Sequence, residues 1–324
     1  MTSFALAIHG GAGRTPRARL VEPMRAVYDS ALAASLLAGR DVLAAGGTAV
    51  DAVCACVVAL EDAEPFNAGH GAALCADATV ALDASLMDGR DRSAGAVAGL
   101  ARTTNPVLAA RALAGSAHWF LRGADGDRFA EAAGLAVTAP EYFVTADRQK
   151  QLAAYQAGAI TGLDRMTDDA SGPDWEAADL EAPSGTVGAV ARDRDGHLAA
   201  ATSTGGVVNQ PPGRVGDTPV IGAGTWADDG VCAISATGTG EAFMRIAFAR
   251  RIADRMELAG ETPQIAAADA LAEVAALGGE GGCIVVDKSG RMALPFNTPE
   301  MFRGWVAHDR GPRIAIGLAE AIAI

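Results

Sequence analysis

The chain has 324 residues, half of them hydrophobic, which is enough for a sizeable core in one large or two ordinary domains. Its formal net charge of -13, with no basic cluster to offset it, excludes a polyanionic nucleic acid as the expected partner. The longest apolar run, AVCACVVAL, is far too short to span a bilayer, and the N-terminal MTSFALAIHGGAG lacks a basic leader, so no membrane partner and a cytoplasmic location are expected.

In chain order, FALAIHGGAG reads as a buried strand ending in a glycine turn. The stretch from Glu22 to Gly47 reads as a helix broken near Gly39 and stopped by Gly46-Gly47. A second helix, TAVDAVCACVVALEDA, has Thr48 as its N-cap and Asp51 three residues on. FNAGHGAAL is a glycine-rich loop, ATVALDASLMDG and SAGAVAGL are strands, and NPVLAARALAG is a short helix. Helical stretches follow near 126–134 and 146–157, then a polar, acidic linker at about 160–185.

Beyond the linker, TVGAVARDRDGHLAAATSTGG is a hairpin, and PVIGAGTWADDGVCAISATGTGEA is strand, turn, strand and glycine loop. EAFMRIAFARRIADRMELAG reads as one amphipathic helix, and TPQIAAADALAEVAAL as another capped by Thr262. GGCIVVDKSGRMALPFNT is a hairpin turning at Lys288-Ser289-Gly290, and PRIAIGLA is a last strand. Strands in hairpins and helices in clusters argue for an α+β fold with antiparallel sheets packed face to face and helices outside, in a single domain spanning 1–324.

Five cysteines fit no disulfide framework, and five scattered histidines without HExxH or paired CxxC leave no catalytic zinc to expect. HGGAG resembles an esterase oxyanion loop, but the chain has no G-x-S-x-G elbow. TGTGE lacks the rest of a nucleotide loop. The informative position is Thr186, preceded by Gly185 where the linker meets a strand. A mid-chain threonine hydroxyl has no built-in base. If the Gly185–Thr186 bond is cut, Thr186 gains an α-amine with a pKa of roughly 7.7–8.0, able to take the hydroxyl proton. Taken alone, Gly-Thr at a strand start is ordinary.

The hairpin tests the idea. A two-residue turn at Asp195-Gly196 would pair Thr204 with Val187, whereas a three-residue loop, Arg194-Asp195-Gly196, would pair Thr204 with Thr186. The three-residue loop is expected. Arg214 and Asp217, three apart in PPGRVGD, could receive an α-carboxylate and an α-amine. The Thr237 hydroxyl and the Gly238 N–H could donate to an oxyanion.

Together these motifs resemble the plant-type L-asparaginase/isoaspartyl peptidase family of N-terminal-nucleophile hydrolases, over almost the whole chain. The match runs in order through HGGAG at 9–13, FNAGHG at 66–71, LDASLMDG at 82–89, GTVGAV at 185–190, AAATSTGG at 199–206, PGRVGD at 212–217, TGTGE at 237–241 and ALPFNT at 293–298. The resemblance implies a four-layer αββα sandwich. It also implies a self-cut between Gly185 and Thr186 into α (1–185) and β (186–324) subunits, and assembly as a dimer of αβ heterodimers.

It implies Thr186 as nucleophile, Thr204 as its hydrogen-bonding support, and Thr237 with Gly238 as oxyanion hole. Arg214 and Asp217 become the substrate clamp, and Asn67 an ordering residue. No catalytic cofactor is implied, but a structural sodium ion is, held by backbone carbonyls of Leu60, Glu61, Ala63, Phe66, Ala68 and His70. Val208, Gln210 and Pro211 depart from the Thr, Lys and Leu that relatives often carry. Gly185 in place of the Asp typical of glycosylasparaginases favours L-asparagine and β-aspartyl dipeptides as substrates. A glycosylasparaginase-like amidase and an unprocessed amino-acid sensor are the alternatives.

Overall fold

The computed structural model describes residues 4–15, 20–158, 185–307 and 310–324. Most of the expected linker at about 160–185 therefore lies outside the described residues.

The first strand, β1 (Ala5–Gly13), is buried along its whole length. It pairs antiparallel with β11 (Glu300–Ala307) on one side and β5 (Val187–Arg192) on the other. From β5 the sheet continues through β6 (Leu198–Thr204), β2 (Leu82–Asp88), β3 (Ala94–Leu100) and the short β4 (Phe120–Arg122). From β11 it continues through β12 (Arg310–Ile316) to β13 (Ile322–Ala323), making nine strands. Only the β3–β4 pair is parallel. A second, antiparallel sheet has the order β10 (Met292–Ala293), β9 (Gly281–Asp287), β8 (Cys232–Gly238), β7 (Thr225–Asp228).

Side-chain alternation along these strands builds three cores. Leu6, Ile8, Leu86, Val97 and Ala189 face helices α1 (Met24–Ala44), α2 (Ala49–Glu61) and α3 (Pro106–Leu113), through residues such as Leu32, Val53 and Val107. Their neighbours Ala5, Ala7, Met87 and Val190 turn the other way and meet Ala227, Ala233, Ile284 and Val286 of the second sheet. Ile234 and Val285 pack instead against α7 (Phe248–Ala259) and α8 (Pro263–Ala276), through Ile252 and Val274. Strands buried on both faces read as continuous apolar runs, as these do.

The remaining described helices are α4 (Gly123–Ala132), α5 (Ala146–Gln156) and α6 (Gly240–Ile246). The expected caps hold: the Thr48 and Thr262 hydroxyls accept from the N–H groups of Asp51 and Ile265.

Two sequence expectations need correction. Helix α1 runs unbroken through Gly39, where a Cβ would lie 2.3 Å from Cys56 Sγ and 2.9 Å from the Ala52 carbonyl. That glycine permits the α1–α2 crossing and does not end a helix. Conversely, the stretch read as one helix after TGTGE is two, α6 and α7, separated at Ala247, whose φ is +50. The strand β11 was not anticipated. It supplies one flank of β1.

Candidate active site

The β5–β6 hairpin has the expected register. Val187 pairs with Ser203 and Arg192 with Leu198. The Asp193 N–H donates to the His197 carbonyl at 2.9 Å, which closes a loop of Arg194, Asp195 and Gly196, with Gly196 at φ +93. One further step of that register sets Thr186 opposite Thr204. The hydroxyl that Thr186 Oγ1 reaches is, however, that of Thr218, at 3.4 Å. Thr204 Oγ1 accepts the Gly206 N–H at 3.1 Å.

A small cavity is lined by Asn67, Gly185, Thr186, Thr204, Arg214, Asp217 and Gly238, with Ala12, Gln210's neighbour Val207, and Thr218. It thus gathers all the expected chemical residues but Thr237. A larger hollow beside α8, walled by Leu271, Phe296 and Trp305, contains none of them. Thr237 stands directly behind the smaller cavity: its Oγ1 accepts the Ala12 N–H at 3.2 Å and lies 2.4 Å from where a Cβ on Gly185 would sit. Any side chain at 185 would have to displace this hydroxyl. Gly238, at φ +146, would bring a Cβ within 2.3 Å of the Glu280 carbonyl, so it must be glycine.

Asn67 staples the rim. Its Nδ2 donates to the Gly206 carbonyl at 2.6 Å, and its Oδ1 accepts the Ala73 N–H at 2.8 Å. Arg214 is gripped by two residues outside the sequence expectation. Its Nε and Nη2 donate to the two Glu241 carboxylate oxygens at 2.9 and 3.0 Å, and its Nη1 donates to Gln210 Oε1 at 3.2 Å. Those hydrogen bonds hold the Glu241 carboxyl below its usual range. Gln210, noted above only as a departure from relatives, therefore orients the guanidinium.

Asp217 is the opposite case. It is buried, its Oδ2 has no hydrogen-bond partner among the described residues, and burial pushes its pKa up to about 7 despite the nearby Arg214. An unpaired buried carboxylate oxygen facing a cavity is a receptor for an ammonium group. Asp83, beneath the same loop, is likewise raised to about 7 by burial, and it accepts the Gly99 N–H at 2.7 Å.

The loop at 60–70 coils tightly. The carbonyls of Glu61 and Phe66 lie 2.5 and 2.1 Å from where a Cβ on Gly69 or Gly71 would be. The Ala63, Phe66 and Ala68 carbonyls each accept one backbone N–H, leaving a second lone pair on each, whereas the Leu60 carbonyl accepts the N–H groups of both Asp62 and Ala63. The Glu61 side chain is buried, accepts the Ser203 hydroxyl at 2.6 Å and the Val107 N–H at 3.0 Å, and is raised by burial to about 8. The His70 ring packs against Tyr142 with centroids 4.5 Å apart and planes tilted by 42°. Among the described residues, no cluster of His, Cys, Asp and Glu side chains could hold a metal ion.

A family model described as asparaginase matches residues 2–316. The chain belongs to the asparaginase family. It is 45% identical over 307 residues to the isoaspartyl peptidase of Escherichia coli K12, covering 94% of this chain and 93% of that one. It is 44% identical to the isoaspartyl peptidase of Salmonella typhimurium LT2, covering 94% and 96%. It is 38% identical to the isoaspartyl peptidase/L-asparaginase of the rat, covering 95% and 87%.

Proposed function

We propose that the protein is a threonine hydrolase that cuts its own chain before Thr186 and then hydrolyses the side-chain amide of L-asparagine and of β-aspartyl peptides. The observation that carries this reading is one cavity holding Thr186, the oriented guanidinium of Arg214 and the unpaired carboxylate of Asp217.

In the self-cut, Thr186 Oγ1 attacks the Gly185 carbonyl, the peptide C–N bond breaks, and water hydrolyses the resulting ester. This frees the Thr186 α-amine. The Thr237 hydroxyl beside Gly185 is placed to donate to the developing oxyanion. In turnover, the substrate's α-carboxylate docks on Arg214 and its α-ammonium on Asp217. Thr186 Oγ1 attacks the side-chain carbonyl, and the α-amine takes its proton and passes it to the leaving ammonia or peptide amine. Thr237 and the Gly238 N–H receive the oxyanion, and Thr204, ending β6 opposite Thr186, lines the same wall. Water then cleaves the β-aspartyl ester and releases aspartate. Because both substrates share the free aspartyl α-groups, one clamp serves both.

The four-layer αββα sandwich, with helices outside two facing sheets, is the architecture in which we place this chemistry. Five buried free thiols fit a reducing, cytoplasmic setting. Among the described residues, no helix is long and apolar enough to cross a membrane. Following the resemblance, the processed α and β chains pair as a heterodimer and the heterodimer pairs with a second. A sodium ion on the carbonyls of Leu60, Glu61, Ala63, Phe66, Ala68 and His70 would brace the loop that carries Asn67, a structural role only. A lower melting temperature when sodium is replaced by a bulky organic cation is the expected sign. An unchanged one counts against the ion.

The deciding experiment is intact mass spectrometry on protein held at neutral pH, paired with ammonia release from asparagine and amine release from a β-aspartyl dipeptide. Two masses, one beginning at Thr186, and hydrolysis of both substrates are expected. Thr186→Ala should give one mass and no turnover. A Thr186→Ala protein that still hydrolyses either substrate would remove Thr186 from the mechanism.

A further inference from the structure

Five polar side chains lie between the two sheets, and none of the chemistry above uses them. His9 is on β1, Ser85 on β2, Thr202 on β6, Thr225 on β7 and Ser235 on β8, and all five are fully buried. They touch in sequence. His9 Nε2 is 2.8 Å from Ser235 Oγ, which is 2.7 Å from Thr202 Oγ1, which is 2.5 Å from Thr225 Oγ1. Thr225 Oγ1 is 2.8 Å from Ser85 Oγ, and Ser85 Oγ is 2.6 Å from the backbone carbonyl of Thr218.

Buried hydroxyls in a layer otherwise filled by Ala, Val, Ile, Leu and Met cost stability unless each is satisfied, so a completed file calls for a reason. The sheet registers build it. His9 pairs with Gly188, Gly188 with Thr202, and Thr202 with Ser85, a single row across four strands. Gly188 is the gap in that row. A Cβ there would lie 2.0 Å from Ser235 Oγ and 2.6 Å from His9 Nε2. The second glycine of GTVGAV is thus the opening through which Ser235 reaches across to His9.

Both ends of the file stop at Thr186. At one end Thr218, whose carbonyl takes the last hydrogen bond, presents its Oγ1 3.4 Å from Thr186 Oγ1. At the other, His9 lies beside the Thr186 main chain, close enough for that backbone to oppose the fall of its pKa to about 3 that burial causes. The opposing group must be an acceptor, hence the Thr186 carbonyl. Yet His9 Nδ1 makes no hydrogen bond of ordinary geometry.

We propose that His9, Ser235, Thr202, Thr225 and Ser85 are positioning residues for Thr186, a directed hydrogen-bond file that fixes Thr218 against its hydroxyl and the imidazole against its backbone. The proposal rests on Thr186 being the nucleophile. The direction follows from counting hydrogens. Ser85 donates to both the Thr218 carbonyl and Thr225 Oγ1, so Thr225 turns its own hydrogen to Thr202, Thr202 to Ser235, and Ser235 to an unprotonated His9 Nε2. The Gly224 carbonyl, 3.4 Å from Thr202 Oγ1, is the weaker competitor. His9 is therefore a neutral imidazole protonated on Nδ1, with that hydrogen turned toward the Thr186 carbonyl.

The test uses the full-length processed protein. Nitrogen-15 spectra of labelled histidine should show His9 neutral and protonated on Nδ1 through the whole stable pH range. A neutral His9 protonated on Nε2 would reverse the file and overturn the proposal. In kinetics, normalised to chains that begin at Thr186, Thr202→Val should lower kcat roughly tenfold and leave KM within about twofold, since the file acts on the nucleophile and not on the clamp.

Thr202→Ser, which restores the hydroxyl, should recover most of that loss. A folded Thr202→Val enzyme with wild-type kcat would also overturn the proposal. Should Thr202→Val not fold, Ser235→Ala interrupts the file one step away and is judged by the same criteria. Wild-type turnover by Thr186-initiated chains is the control. Its absence would strike at the nucleophile itself, and its presence with an insensitive Thr202 would strike at the file alone.

Discussion

Asp217 concentrates the conflict between folding and binding in one carboxyl group. Its pKa of about 7 in the folded chain lies well above the ordinary aspartate value of 3.8. A raised folded pKa means the folded state holds the proton more tightly. The group's contribution to stability is therefore complete below the unfolded pKa and declines as pH rises from about 4 through 7. At pH 8 the ligand-free protein keeps a buried carboxylate with an unpaired oxygen. Asp217→Asn should then raise the stability of the ligand-free protein at pH 8, by about 1 kcal/mol, with little change near pH 4. The same substitution should lower kcat/KM by about 100-fold or more, because the substrate ammonium loses its charged partner. Melting curves at the two pH values and steady-state kinetics check both halves. A destabilised variant at pH 8 would make Asp217 a structural residue.

At the scale of the element, Gly39 separates two readings of one helix. As a helix breaker its replacement by alanine would be favourable, by about 1 kcal/mol of propensity. As the contact point of α1 and α2, the added methyl collides with Cys56 Sγ and the Ala52 carbonyl. Overpacking of that kind costs about 1–3 kcal/mol, so Gly39→Ala is expected to lower the melting temperature, and Cys56→Ala in the same chain to restore part of the loss.

Which elements were legible follows the same logic. Caps, turns and two-sided apolar strands are local, so Thr48, Thr262 and the Gly196 and Gly290 hairpins read correctly from sequence. The Gly39 crossing, the left-handed kink at Ala247 and the placement of β11 beside β1 depend on residues far along the chain. The site divides likewise. Thr186, Arg214, Asp217 and Asn67 sit in short glycine-rich motifs that announce themselves. Thr218, Glu241, Gln210 and the His9–Ser235 contact, 226 residues apart, exist only once the sheets have formed.

At the scale of the whole molecule, the expected cut between Gly185 and Thr186 severs the chain without severing the fold. The N-terminal part supplies β1, β2, β3 and β4, and the C-terminal part supplies β5, β6, β11, β12 and β13 of the same sheet. The two sets interleave: β1 lies between β11 and β5, and β6 lies against β2. Helix α2 of the first part also packs on β5 and β6 of the second. Pulling the parts from one another would break three antiparallel ladders and expose the core beneath α1 and α2, a loss no exposed interface of ordinary composition would offset.

The processed protein should therefore elute and spray as a single species under native conditions, resolve into two chains only in denaturant, and unfold in one transition. Separation of the chains without denaturant would mean that the sheet is not shared as described. After denaturation the two chains must find each other before β1 can be flanked, so refolding of processed protein should slow on dilution, whereas refolding of uncut Thr186→Ala should not.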